Sequence, residues 1–151
     1  MNSQETIIKK YSTVGQTVQY ASQVLLKKDD LEDYLKCMGS VLAERIEYID
    51  PVHELKGKES VLQMLKKYVP RLKDEPFEFS LVHDGESYVI WRWVLNMKIR
   101  FTPFRFTIHG LVHAEIEDGK IVRQREYYDP MESIGVIPVV GFLYKWALKM
   151  G

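Results

Sequence analysis

An α+β domain, with helices gathered on one face of a mostly antiparallel sheet, is the fold class this sequence predicts. Three observations point to it. Apolar residues in the first third recur at helical spacing, the period changes to two after Pro76, and Glu117-Asp118-Gly119-Lys120 is a hairpin signal between two alternating runs.

The elements follow in order. Val14, Val18, Ala21 and Leu25 recur at spacings of four, three and four, which is one face of a helix. Asp29 and Asp30 break that pattern and can cap a second helix whose apolar face is Leu31, Tyr34, Leu35 and Met38, with Gly39 as its stop. Residues 41–50 alternate as a first strand, placing Ile46, Tyr48 and Asp50 on one side. A third helix follows Gly57, with Val61, Leu62, Leu65 and Tyr68 or Val69 inward, Lys66 and Lys67 outward, and Pro70 and Pro76 bounding its end. Strands are then expected over 77–83, 87–99, 104–117 and 120–129. Asp84-Gly85 turns the first of these and Pro130 ends the sheet. A last short helix starts after Pro138. No repeat or Gly/Ser linker divides the chain, so residues 1–151 read as one domain with 131–151 as an apolar helical tail.

Composition narrows the function classes. The chain is 46% hydrophobic and 28% charged, which suits a globular protein rather than a disordered one. Lys+Arg and Asp+Glu each number 21, so no bulk charge draws it to nucleic acid. One cysteine, Cys37, excludes an internal disulfide framework. Residues 1–12 lack the apolar core of a signal peptide, and no stretch reaches the roughly 18 apolar residues of a membrane span, so the expected compartment is the cytoplasm. His109 and His113 are four apart, about 13 Å along a strand, too far to share a metal ion.

Alternation identifies a candidate pocket face. In 120–129 the mostly charged parity of Arg123, Arg125, Tyr127 and Asp129 should meet solvent, which turns Glu126 and Tyr128 toward the helices. In 104–117 one parity is wholly apolar, running through Phe106, Ile108, Gly110 and Val112, as a pocket wall would be. In 87–99 two assignments stay open: either Arg92, Val94 and Asn96 face inward, or Trp91, Trp93 and Leu95 do. Asp50 before Pro51 reads either as a turn residue or as a carboxylate in the pocket, and His53 either as a proton shuttle at its mouth or as a solvated loop residue.

The segment Tyr48-Ile-Asp-Pro-Val-His-Glu-Leu-Lys-Gly57, read with 120–129, resembles the nuclear transport factor 2 superfamily, which includes ketosteroid isomerase, limonene epoxide hydrolase and the SnoaL-like polyketide cyclases. The resemblance covers about 29–129 and implies a cone-shaped barrel with an apolar mouth. Asp50-Pro51-Val52 is similar to the segment that holds the general-base Asp of the isomerase, while Val112 falls near that family's oxyanion-hole Asp. Tyr48-x-Asp50 is similar to the hydrolase's water-holding Tyr-x-Asn, and Arg125-Glu126-Tyr127-Tyr128-Asp129 to its Arg-Asp-Tyr-Phe-Asp. By that likeness Glu126 takes the water-activating carboxylate, Arg92 the bridging cation, and Val94 the place of the second acid. The resemblance thus implies that Arg92 faces inward, which would leave the tryptophans outside to be covered by a second subunit.

These readings combine into one expectation. Asp50 is a base, Arg92 an orienting cation and Glu126 a second carboxylate, in a pocket lined by Tyr48, His53, Val94, Ile108, Val112 and Tyr128. The substrate would be an apolar ketone, lactone, epoxide or polyketide-like molecule, handled without cofactor or metal by a homodimer. A non-catalytic ligand-binding or adaptor domain is the alternative. In the tail, Val139, Phe142 or Leu143, Trp146 and Met150 share a helical face opposite Lys145 and Lys149. Such a helix either closes the pocket or docks on the dimer, or it lies on a membrane surface.

Overall fold

The computed structural model describes residues 12–28, 30–72, 76–98 and 102–150. Helix α1 is Val14–Lys28, and it buries Val14, Val18, Ala21 and Val24 on the face the spacing predicts. Helix α2, Leu31–Val41, starts where the Asp30 side chain accepts a hydrogen bond from the Asp33 backbone N–H at 3.0 Å. Asp29 lies outside the described residues. Gly39 does not stop this helix: it is buried within it, and the turn to extended backbone comes only at Leu42. Tertiary packing around residues 37–41 outweighs the weak helix propensity of one glycine.

Strand β1 is Leu42–Ile49, and a short β2, Glu54–Lys56, folds back onto it. Gly57 sits at φ 89°, a left-handed conformation that favours glycine, and opens helix α3, Lys58–Tyr68. The chain passes through Pro70 in a short 3₁₀ turn, Val69–Leu72, instead of ending before it. Strands β3 (Phe77–Asp84), β4 (Tyr88–Lys98), β5 (Arg105–Glu117) and β6 (Lys120–Tyr127) follow, then a short α4, Met131–Ile134, and α5, Pro138–Met150. Ile99 lies outside the described residues.

The six strands form one curved sheet in the order β2-β1-β6-β5-β4-β3. All neighbours are antiparallel except β1 and β6. At the β5–β6 hairpin, Asp118 and Gly119 both have positive φ, the backbone a two-residue turn needs to match the twist of its strands. Register shifts at Leu81/His83, Glu115/Ile116 and Leu42/Glu47 bend the sheet around α1–α3. The core lies between them, where Leu42, Ile46, Val61, Val89 and Ile121 are almost wholly buried. Cys37 sits in that core, and burial pushes its thiol up to about 11, so it behaves as a small apolar residue.

Strand β4 shows its tryptophans to the helices, which corrects the expectation for Arg92 and Val94. Trp91 is buried, Trp93 packs on the core, and Arg92 is exposed on the opposite face. The cause is a cross-strand fit. Trp93 pairs with Gly110 of β5, and a Cβ at position 110 would lie 2.1 Å from the indole ring. The ring therefore fills the notch that glycine leaves in an otherwise apolar wall. The tryptophans need no second subunit to cover them. The outer face is mixed instead: Tyr127 and Leu111 are exposed on it, and Arg123 pairs with Glu47 and Glu115, each at 3.2 Å.

Helix α5 rests on α4 through Gly141, whose backbone meets the Gly135 carbonyl. Gly141 is its one buried residue, while Val139, Phe142, Trp146 and Met150 are exposed. No described helix is long and apolar enough to cross a membrane.

Gly110→Ala should lower stability by about 1–3 kcal/mol, because the new methyl forces Trp93 off its seat. Urea unfolding followed by tryptophan fluorescence checks this, and wild-type stability in the variant would show that the ring has another place to go.

Candidate functional site

The sheet and helices enclose a cavity of about 560 Å³, within the range of small-molecule sites. Its walls come from α1–α3 and from the inner faces of β3–β6, with Phe79, Trp91, Leu95, Phe106 and Ile108 among the apolar lining residues. Pro130 and Ser133 line it, but no residue of α5 does, so that helix does not close the pocket.

Polar groups gather where β1, β4 and β6 deliver side chains to one place. Strand β1 carries Tyr48 inward, and Asp50 follows just past its end. Asp50 is both turn residue and pocket carboxylate. Its Oδ1 accepts the backbone N–H groups of Val52 and His53, both at 2.7 Å, while Oδ2 lies 3.0 Å from the Tyr48 hydroxyl and 2.9 Å from His53 Nδ1. With Nδ1 donating to Asp50, His53 Nε2 is left as the acceptor facing the Tyr68 hydroxyl at 3.4 Å.

Strand β6 brings Glu126 to the other side of Tyr48. The Tyr48 hydroxyl makes a short contact with Glu126 Oε2, and Trp93 Nε1 donates to Glu126 Oε1 at 2.5 Å. Tyr48 thus stands between two carboxyls. Burial, followed by the Glu126 and Asp50 carboxyls, drives its own pKa far upward, so it stays protonated. Burial also raises Glu126, against hydrogen bonds from Tyr48 and Trp93 that favour its charged form. The Tyr128 hydroxyl is pushed up to about 12, by burial first and then by the Asp50 and Glu126 charges.

Counting protons decides the arrangement. Tyr48 has one hydroxyl proton and two carboxyl neighbours, so it can donate to only one at a time. Every contact is satisfied when Glu126 keeps its proton and donates to Tyr48, and Tyr48 donates to Asp50. The upward shift of Glu126 favours that state. The result is a continuous path of contacts, Trp93–Glu126–Tyr48–Asp50–His53.

The structure brings Tyr48, Asp50, His53, Glu126 and Tyr128 together around the cavity, with Ile108 in its wall. It does not bring Arg92 or Val94, which lie on the outer parity of β4, and Val112 is buried in the core instead of lining the cavity. Tyr48 bridges the carboxyls where Arg92 was expected to. Trp93, Tyr68 and Gln124 are pocket residues that sequence reasoning missed. The signal for Trp93 was Gly110 on the apolar parity of the neighbouring strand. Among the described residues, no three His, Cys, Asp or Glu side chains gather to hold a metal ion.

Comparison with known proteins places this geometry. The model of the SnoaL-like domain family matches residues 23–124. An NTF2-like protein from Burkholderia thailandensis superposes with a TM-score of 0.65 at 16% identity, over 83% of this chain and 97% of that one. A second NTF2-like protein, from Burkholderia xenovorans, gives 0.56 at 20% identity, over 79% and 91%. A protein with a ketosteroid isomerase-like fold from Catenulispora acidiphila, in complex with trimethylamine, gives 0.57 at 14% identity, over 76% and 87%. None of the curated proteins matches in sequence. The curved six-stranded sheet, the helices it wraps and the matched span of sequence agree, and the chain belongs to the SnoaL-like domain family.

Proposed function

We propose that this protein binds a small, largely apolar molecule in its cone and performs acid–base chemistry on it, as an isomerase, cyclase or hydrolase of a ketone-, lactone-, epoxide- or polyketide-like substrate. The observation that carries this reading is the Tyr48 hydroxyl joined to both Asp50 and Glu126 beside an apolar cavity. Two carboxyls whose surroundings push their proton affinities apart are the usual basis of acid–base assignments. The isomerase-like neighbour lends support through its fold alone.

Asp50, held as an acceptor by the Tyr48 hydroxyl, the Val52 and His53 backbone N–H groups and His53 Nδ1, is the base. It takes a proton from carbon beside a carbonyl, or from water. In the first case the electron pair moves onto the carbonyl oxygen, and Tyr128, protonated up to about pH 12, donates a hydrogen bond to it. Return of the proton to a different carbon completes an isomerisation. Glu126 and Tyr48 hold the second proton of the relay next to the base. His53 takes the orienting role that Arg92, on the outer face, does not fill.

A second reading, a non-catalytic ligand-binding or adaptor domain, is favoured by α5. Its large apolar side chains are exposed, Phe142 at 68% and Trp146 at 54%, and the only charges from Pro138 to Met150 are Lys145 and Lys149. That pattern suits the surface of an anionic bilayer, with aromatic residues at the headgroups and lysines reaching for phosphate. Flotation with phosphatidylserine vesicles should carry the wild type, and not the Lys145→Glu/Lys149→Glu variant. Protein that stays at the bottom in both cases removes the membrane contact.

Asp50→Asn should slow deuterium exchange into the α-carbons of a cyclic ketone panel by about a hundredfold or more, without loss of fold. Exchange at the wild-type rate would remove Asp50 as the base. The pH dependence of stability follows from Glu126, whose folded pKa lies above its unfolded value of about 4.5. Between the two values the folded protein keeps a proton that the unfolded chain has lost, so stability falls as pH rises through that window and levels off above the folded pKa. Glu126→Gln should therefore gain on the wild type in urea titrations as pH rises from about 4.5. A constant difference across that range would mean that Glu126 ionises normally in the fold.

A further inference from the structure

One cation belongs to the cavity, and the relay does not use it. Among the described residues that line the cavity, Arg71 is the only lysine or arginine. It lies in the 3₁₀ turn Val69–Leu72 that follows α3, and it is exposed, so it stands where the cavity meets solvent. Its guanidinium is laid over the ring of Tyr68, another lining residue, 4.9 Å from the centroid, and Lys67 Nζ lies 5.2 Å from the same centroid. Attraction to a ring face holds a cation in place without neutralising it. No carboxylate among the described residues pairs with Arg71 or Lys67. Tyr68 is also the link inward. Its ring makes a T-shaped contact with His53, centroids 5.5 Å apart, and its hydroxyl is 3.4 Å from His53 Nε2. His53 in turn contacts Asp50, whose side chain is only 5% exposed. One line of contacts therefore runs from an exposed, unneutralised cation to the buried carboxyls.

We infer that Arg71 anchors a carboxylate at the mouth of the cavity, and that the ligand is an apolar acid, with its carboxylate head at Arg71 and its hydrocarbon body in the cone. This rests on the proposed function only in taking the cavity for the ligand site; a substrate's carbonyl would then sit at the inner end, toward Asp50. The polar groups admit an anion at one end only. Inside, Asp50 and Glu126 bring carboxyl oxygens, which give a second carboxylate nothing to accept from and repel it once ionised. At the mouth, a planar guanidinium presents N–H donors in a fork that matches the two oxygens of a carboxylate. The head stays in contact with water there, and only the apolar body is desolvated, so no charge has to be buried. Arg71 acts as a specificity residue: it sets which end of an apolar molecule enters first.

The test uses octanoate and octanamide, two probes of the same shape that differ in charge, with a chain flexible enough to reach the cone from the mouth. Isothermal titration of the full chain at about pH 7 and low salt should show octanoate binding about tenfold tighter, the difference a hydrogen bond to a charged group makes. Added salt should narrow that gap, because the anchor is exposed. In Arg71→Gln the preference should vanish. In Lys67→Gln most of it should survive, because Lys67 does not line the cavity. Three outcomes overturn the inference: no preference in the wild type, a preference that survives in Arg71→Gln, or equal losses in the two variants, which would mean a diffuse positive field instead of one anchor. Should Arg71→Gln fail to fold, Arg71→Met serves in the same titration, and failure of both also counts against the inference. Deuterium exchange into the cyclic ketone panel, whose members carry no acid, reads the acid–base function separately. Wild-type protein that prefers octanoate but exchanges no deuterium would keep the anchor and remove the catalysis, and exchange without that preference would do the reverse.

Discussion

The seating of Trp93 against Gly110 decides most of what this molecule can do. A strand has two faces, and a shift of one residue exchanges them completely. On β4 one face carries Trp91, Trp93 and Leu95, the other Arg92 and Val94. With no room for a Cβ at position 110, the indole takes that space and the whole strand is committed. The pocket then gains aromatic walls and an N–H donor for Glu126, and it loses the guanidinium that would have neutralised two carboxyls.

The electrostatics follow from that loss. Two carboxyls around one hydroxyl, with no arginine between them, repel if both are ionised. An ion pair would settle this by adding a positive charge. This site settles it with a proton: burial favours neutral Glu126, and Tyr48 passes the hydrogen bond on to Asp50. A carboxyl whose neutral form is favoured by burial suits a cavity walled mainly by apolar side chains. The arrangement also makes the protonation state of Glu126 part of the structure. Ionising it leaves Tyr48 with two acceptors and one proton.

Much of this was legible in the sequence. Helical spacing named the buried face of α1, alternation named Glu126 and Tyr128 as inward, and the 117–120 turn named the hairpin. These are local signals, and their periods survive into the fold because each element buries one face. What failed was of another kind. Gly39 looked like a stop because propensity was read without the packing that holds it in a helix. The facing of β4 was expected wrongly on the resemblance: one parity, Trp91, Trp93 and Leu95, is wholly apolar, while the other mixes Val94 with Arg92 and Asn96. The answer lay across the sheet at Gly110, and it required the register between the two strands. The parallel pairing of β1 with β6, which brings Tyr48 beside Glu126, is likewise a long-range fact with no local signature.

Asp50 shows why its two readings were never rivals. A turn aspartate uses one oxygen to hold the backbone N–H groups that follow it, and that leaves the other oxygen oriented. The turn fixes where the second oxygen points, toward Tyr48 and His53, without a rotamer left to search. A carboxyl held this way loses little entropy when a ligand arrives, because the turn has already oriented it.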